Sequence, residues 1–216
     1  MVFYLTFGVS SYQLDERTRG FSYLGEEVLD MRMDRTKDLD AKYILNYYTE
    51  ENIAKILYEY GEEKFAKNIA KNICIERNKK EITTTKELVE IIDKSIPMRE
   101  KQNGHPAKKT FQAIRIETNN ELEPLCHTVK ESIKLLNNTG RLCIITFHSL
   151  EDRIVKNAYI DMQGKCTCPS GFPQCVCGYQ SYGRMITKKP IIATMEEQQQ
   201  NSRSKSAKLR IFERII

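Results

Sequence analysis

Two loops of small and polar residues follow apolar runs in this chain, and both carry side chains able to do chemistry. The first, "GVSSYQ" at 8–13, follows "VFYLTF"; the second, "HSLED" at 148–152, follows "RLCIITF". Runs rich in β-branched and aromatic residues that end in glycine or serine read as strands. In an open parallel sheet, ligands bind beyond the carboxyl ends of the strands. Ser10, Ser11, Gln13, His148 and Ser149 are thus placed to meet a ligand. His148 could move a proton or bind a base edge. The plainer alternative is that His148 orients the turn and that Ser149, three residues before Asp152, caps a helix over 150–160.

Two other stretches carry chemistry. Cys166, Cys168, Cys175 and Cys177 make a C-x-C-x6-C-x-C pattern. Four thiolates so close could hold a tetrahedral zinc ion, or could form a reduced, cysteine-rich surface loop. In "NSRSKSAKLR", Arg203, Lys205, Lys208 and Arg210 alternate with serines, a composition suited to phosphate or to a solvated tail. Charge is concentrated in two places. Residues 64–80 hold six Lys/Arg against one Glu, and residues 201–216 hold five against one. Such stretches point to a polyanionic partner, nucleic acid first. The chain contains no G-x-G-x-x-G, no P-loop and no H-E-x-x-H.

The elements that must position these residues follow from spacing. The opening run, apolar without alternation, is expected to lie inside a parallel sheet, covered on both faces. Residues 15–34 read as an ordered loop. Ile53, Ile56, Leu57 and Tyr60 form a helical stripe between an N-cap at Thr49 and a stop at Gly61. Phe65, Ile69 and Ile73 give a second helix. Thr84 and Glu87 have capping-box spacing for a third, with Leu88, Ile91 and Ile92 inward. A helical stretch over 110–137 is kinked or divided by Pro124. "RLCIITF" is the second strand. "RMITKKPII" and "AKLRIFERII" suit a closing hairpin at the sheet edge, and "EEQQQ" a solvated turn or helix end. Strands alternating with helices are α/β grammar.

The chain has 216 residues, 29% charged and 40% hydrophobic, which excludes a disordered or fibrous chain. It shows no long apolar run and no secretory signal, and its seven cysteines fit reduced thiols, so a cytoplasmic location away from membranes is expected.

Taken together, "GVSSYQLDERTRGFSY", "LDMRMD", "HPAKKTFQAIRIETNNEL", "TGRLCIITFHSLEDRIVK", "TKKPI" and "SRSKSAKLRIFER" resemble the RsmH (MraW) methyltransferases of bacteria, in order and over essentially the whole chain. The resemblance implies an S-adenosylmethionine-dependent enzyme that methylates N4 of a cytidine in 16S ribosomal RNA, with the small ribosomal subunit as partner. It implies a partial Rossmann-like class I methyltransferase sheet over 1–35 and 111–216, and an all-helical, RNA-binding insertion over 36–110. Gln13 matches a cofactor-contacting position, Gly8 lies in the same loop, and Thr6 stands where the family has an acidic residue. Ser10, His148, Ser149 and Arg115 become candidates for positioning the substrate. Lys67, Lys71, Lys108, Lys109, Arg203, Lys205 and Lys208 become candidates for holding RNA. The family also carries a longer N-terminal part with its glycine-rich cofactor loop. The alternative reading is therefore a cofactor-deficient RNA-binding remnant or a fragment of a disrupted gene, with no measurable cofactor binding and self-association through the edge of "VFYLTF".

Overall fold

The computed structural model describes every residue except 104, 166, 167, 169–175 and 216; of residues 17 and 101–103 only the backbone is described. Contacts divide the chain into two compact units, Met1–Gly8 with Leu122–Ile216, and Val9–Glu121.

The first unit is built on a mixed five-stranded sheet. β1 (Val2–Thr6) runs parallel to β2 (Arg141–Thr146), with Val2 opposite Arg141 and Thr6 opposite Ile145. β3 (Gly183–Met185) and β4 (Ile191–Ile192) both pair with β5 (Lys208–Arg214), which runs antiparallel to β2. The order is β1-β2-β5-β3. Two expectations change here. β1 is not covered on both faces: among the described residues it pairs with β2 alone, which is the edge that the alternative reading expects, and Tyr4 is 73% exposed. β5 does not close the edge in a hairpin. It lies inside the sheet because β2 takes one side of it and β3 and β4 the other.

Helices α7 (Leu125–Lys134) and α8 (Ser149–Gln163) supply the apolar cover. Val129, Ile133, Val155 and Tyr159 bury against Leu142, Ile144 and Phe212. Tyr159 donates its hydroxyl to the Leu142 carbonyl at 3.0 Å, so its one polar atom is satisfied in the core. Burial pushes the ionisation of that hydroxyl far up. Arg214, at the end of β5, donates to the carbonyls of Ile133, Lys134 and Leu136 at the end of α7, where the helix leaves acceptors without a full set of amides. The "MEEQQQ" stretch forms α9 (Met195–Gln200), a short capped helix.

The second unit is helical. The expected helices are present: α3 (Glu50–Glu59) behind a Thr49 cap, α4 (Ala66–Arg77) with no side-chain cap, and α5 (Thr85–Ser95) behind the Thr84/Glu87 capping box. α6 (Lys108–Asn119) ends on Asn120 in the left-handed conformation, and Pro124 begins α7, so the stretch 110–137 is divided. Two further helices, α1 (Ser11–Asp15) and α2 (Ala41–Tyr47), are too short to show an apolar period. The polar stretch before α2 is an ordered loop. It buries Phe21, Leu29 and Met31, and the Asn119 side chain holds both Met31 O and Met33 N. Gly61 does more than stop α3. A Cβ there would lie 2.6 Å from Leu57 O and 2.8 Å from Lys109 O, so its missing side chain lets α6 come close.

Candidate functional site

In the first unit, the parallel pairing of β1 with β2 aligns their carboxyl ends. Phe7 N donates to Ile145 O at 3.4 Å, and the Thr6–Gly8 and Phe147–Ser149 segments leave the sheet side by side. Gly8 has φ 84°, a backbone that a side chain would strain. Lys208, opposite Thr146, brings the start of β5 to the same end.

His148 is the cap of α8, which corrects the expectation for Ser149. The Glu151 amide donates to His148 Nδ1 at 3.5 Å, and the Glu151 carboxylate accepts from the Phe147 and His148 amides at 2.8 and 3.4 Å. Ser149 is pushed to the first helical position. An imidazole that accepts at Nδ1 carries its proton on Nε2. Nε2 lies 3.1 Å from Glu151 Oε1 but out of line for a hydrogen bond, and it is buried with no hydrogen-bond partner among the described residues. The side chains of His148 and Glu151 are 8% and 2% exposed. A buried donor left over in this way is expected at functional positions and rare elsewhere.

Asp152, the other carboxylate of "HSLED", serves β5. Arg210 grips it with two hydrogen bonds of 2.6 and 3.0 Å, and Lys208 Nζ lies 3.7 Å away. Burial would raise the Asp152 carboxyl, but the Arg210 hydrogen bonds and charge outweigh that and hold it below the usual range. Arg210 is 4% exposed, so of the four cations in "NSRSKSAKLR" it is a structural anchor and not a phosphate ligand. Lys205 is exposed. Sequence reasoning missed Glu151 and Asp152 as partners. The Glu151 signal was present, since "HSLE" has cap spacing with histidine in first place.

In the second unit, Ser10 and Gln13 form a reciprocal capping box at α1, with Ser10 N to Gln13 Oε1 at 2.9 Å and Gln13 N to Ser10 Oγ at 3.2 Å. Gln13 Nε2 has no partner among the described residues. Arg115 is held by Glu121 through Nε and Nη2 at 2.8 and 3.0 Å. Lys67 and Lys71 are exposed on α4 and make no ion pair among the described residues. Lys108 is exposed, and Lys109 donates to Glu62 O at 2.9 Å. Of the four cysteines considered for zinc, Cys166 and Cys175 lie outside the described residues. Cys168 Sγ accepts from Val176 N at 3.3 Å, and Cys177 is exposed.

The family model of the MraW methylases matches residues 2–215. The chain belongs to the MraW methylase family. Its five-stranded mixed sheet with flanking helices is the Rossmann-like arrangement that this family implies. Among its relatives, "Ribosomal RNA small subunit methyltransferase H" of Clostridium botulinum (strain Kyoto / Type A2) is 55% identical over 208 residues, covering 96% of this chain and 67% of the relative. "Ribosomal RNA small subunit methyltransferase H 2" of Agathobacter rectalis is 55% identical over 212 residues, covering 97% and 68%. The enzyme of the first name in Lachnospira eligens is 54% identical, covering 98% and 67%. The chain thus spans about two thirds of the length of these methylases. No helix among its described residues is long and apolar enough to cross a membrane.

Proposed function

We propose that this MraW-family chain acts in S-adenosylmethionine-dependent N4-methylation of a cytidine in 16S ribosomal RNA. The observation that carries the reading is the carboxyl end of β1 and β2, where Thr6–Gly8 and Phe147–Ser149 leave adjacent parallel strands and the buried His148 Nε2 lies beside the Glu151 carboxylate with no hydrogen-bond partner among the described residues. The printed names of relatives 54–55% identical to it supply the substrate class.

Thr6, Gly8 and Gln13 are the candidates to contact the methyl donor. The left-handed backbone of Gly8 admits a close neighbour, and Gln13 Nε2 is a donor with no partner among the described residues. Bound S-adenosylmethionine would supply an electrophilic methyl group. The residues of the chain bind and orient. The exocyclic amine of cytosine is a weak nucleophile, so the base must leave its stack and be held at near-attack distance. His148 and Ser149 are proposed to position that base, with Ser10 and Arg115 as further candidates. Lys67, Lys71, Lys108 and Lys109 on the helical insertion (36–110), and Arg203, Lys205 and Lys208, are proposed to hold the RNA backbone.

A second reading, RNA binding without cofactor, is supported by Thr6, whose hydroxyl offers no carboxylate to the donor. Its edge strand β1 supports self-association. One experiment separates the two. Purified chain is incubated with 30S subunits and methyl-labelled S-adenosylmethionine, the rRNA is digested to nucleosides, and cofactor binding is titrated in a calorimeter. Label in N4-methylcytidine supports the enzyme. RNA binding with neither label nor cofactor heat supports the second reading, and label at another atom overturns the proposed reaction.

A further inference from the structure

The backbone of β1 divides its hydrogen-bonding groups between two directions. Arg141 N donates to Met1 O at 3.0 Å and Phe7 N to Ile145 O at 3.4 Å. Alternate residues of a parallel strand face the partner, so Phe3 and Leu5 turn their amides and carbonyls to β2. Val2, Tyr4 and Thr6 turn theirs away, to a side where no strand stands among the described residues. The side chains divide in the same way. Phe3 and Leu5 pack against the core of the first unit. Val2 and Tyr4 are 49% and 73% exposed, and Thr6 is exposed with them.

Edges of natural sheets are guarded by lysine, proline, a bulge or a covering element. β1, "VFYLT", holds no charge and no proline, and its register with β2 runs unbroken from Val2 to Thr6. An unguarded edge takes another strand, and the pattern of this one fits a second copy of itself. Its outward residues are spaced evenly about Tyr4. Turned about a two-fold axis through Tyr4, a second β1 runs antiparallel and sets Tyr4 against Tyr4 and Val2 against Thr6. Each outward amide then meets an outward carbonyl, and no outward group is left over. A slip of one residue would face them with backbone already bonded to β2. A slip of two would leave an outward residue unmatched on each copy.

We propose that the chain forms a closed two-fold dimer by antiparallel pairing of β1 with β1 of a second copy, with Tyr4 at the axis. The inference rests on the self-association named in the second reading above, and gives it a partner, a direction and a register.

Sedimentation equilibrium of the whole chain tests it. Wild-type chain is expected to pass from monomer to dimer as its concentration rises and to go no further, because the pairing uses up the edge that makes it. Hydrogen exchange at the Tyr4 amide is expected to slow over the same range. Tyr4→Lys and Tyr4→Glu each set like charges across the axis, and each is expected to weaken association about tenfold. An equimolar mixture sets a lysine against a glutamate and is expected to restore a dimer holding one of each, counted by native mass spectrometry. The Tyr4 side chain is exposed, so both variants keep the fold, which melting curves check. Wild-type chain that stays monomeric overturns the inference and the self-association together, and leaves the rRNA reading untouched. Dimers of full strength in both variants, or Tyr4 exchange that ignores dimerisation, place the contact elsewhere: the inference falls and self-association stands. Variants weakened alone that do not pair with each other overturn the register, and growth beyond the dimer overturns the closure.

Discussion

Arg210 on β5 and Asp152 on α8 meet as a bidentate pair, Nε to Oδ1 at 2.6 Å and Nη2 to Oδ2 at 3.0 Å. The side chains are 5% and 12% exposed. The pair ties the helix that carries His148 to the strand that follows the basic "NSRSKS" turn. Each partner alone would be a buried charge, so the pair specifies the geometry more than it adds net stability.

Removing one partner is therefore the severe change. Asp152→Leu or Arg210→Met alone is expected to cost about 3 kcal/mol in urea unfolding. Replacing both, Asp152→Leu with Arg210→Met, is expected to recover much of that loss. A double variant as unstable as the sum of the singles would show that the two residues do not act as a pair.

Glu87 makes a pH prediction. The hydrogen bond from Lys80, then the amides of Thr83 and Thr84, bring its carboxyl from 4.5 down to about 2, against the opposing effect of burial. The unfolded chain takes up this proton first, so between about 4.5 and about 2 it binds more protons than the native chain. The stabilisation is complete above the unfolded value and is lost as pH falls through that window. Stability against pH should thus fall more steeply for wild type than for Glu87→Gln, and the two curves should converge near the bottom of the window. Parallel curves would contradict this.

His148 caps α8 and is proposed to position substrate, and the two parts are separable. His148→Asn keeps a side chain that caps well, and His148→Ala does not. Melting temperature should fall for alanine and stay near wild type for asparagine. Methyl transfer to 30S subunits should fall in both. If asparagine keeps full turnover, His148 is a cap and nothing more.

Gly20 has φ 68°, and a Cβ there would sit 2.2 Å from Val28 O. The backbone of the 16–40 loop closes on itself at this point, so no small shift accommodates a methyl group. Gly20→Ala is expected to destabilise the helical unit by more than about 1 kcal/mol, the cost of a strained left-handed residue alone. Hydrogen exchange at the Leu29 and Met31 amides, which bond Thr83 O and Arg19 O, would report it locally.

What the sequence determined by itself was local. Thr49, Thr84 and Pro124 mark helix starts because a cap or a proline acts within three or four residues of itself, and the stripe at Ile53, Ile56 and Leu57 repeats within one element. The two apolar strands and the loops after them were legible for the same reason, and the long motifs carried the family. Tertiary structure alone decided what depends on distant pairing. Nothing near Asp152 announces Arg210, 58 residues on. The residues of "VFYLTF" taken alone do not separate an edge from a centre, because an apolar run looks alike at both; the edge was expected only from the family resemblance. Whether His148 or Ser149 caps α8 turned on which side chain faced the first free amides, and the chain's exit from β2 chose the histidine.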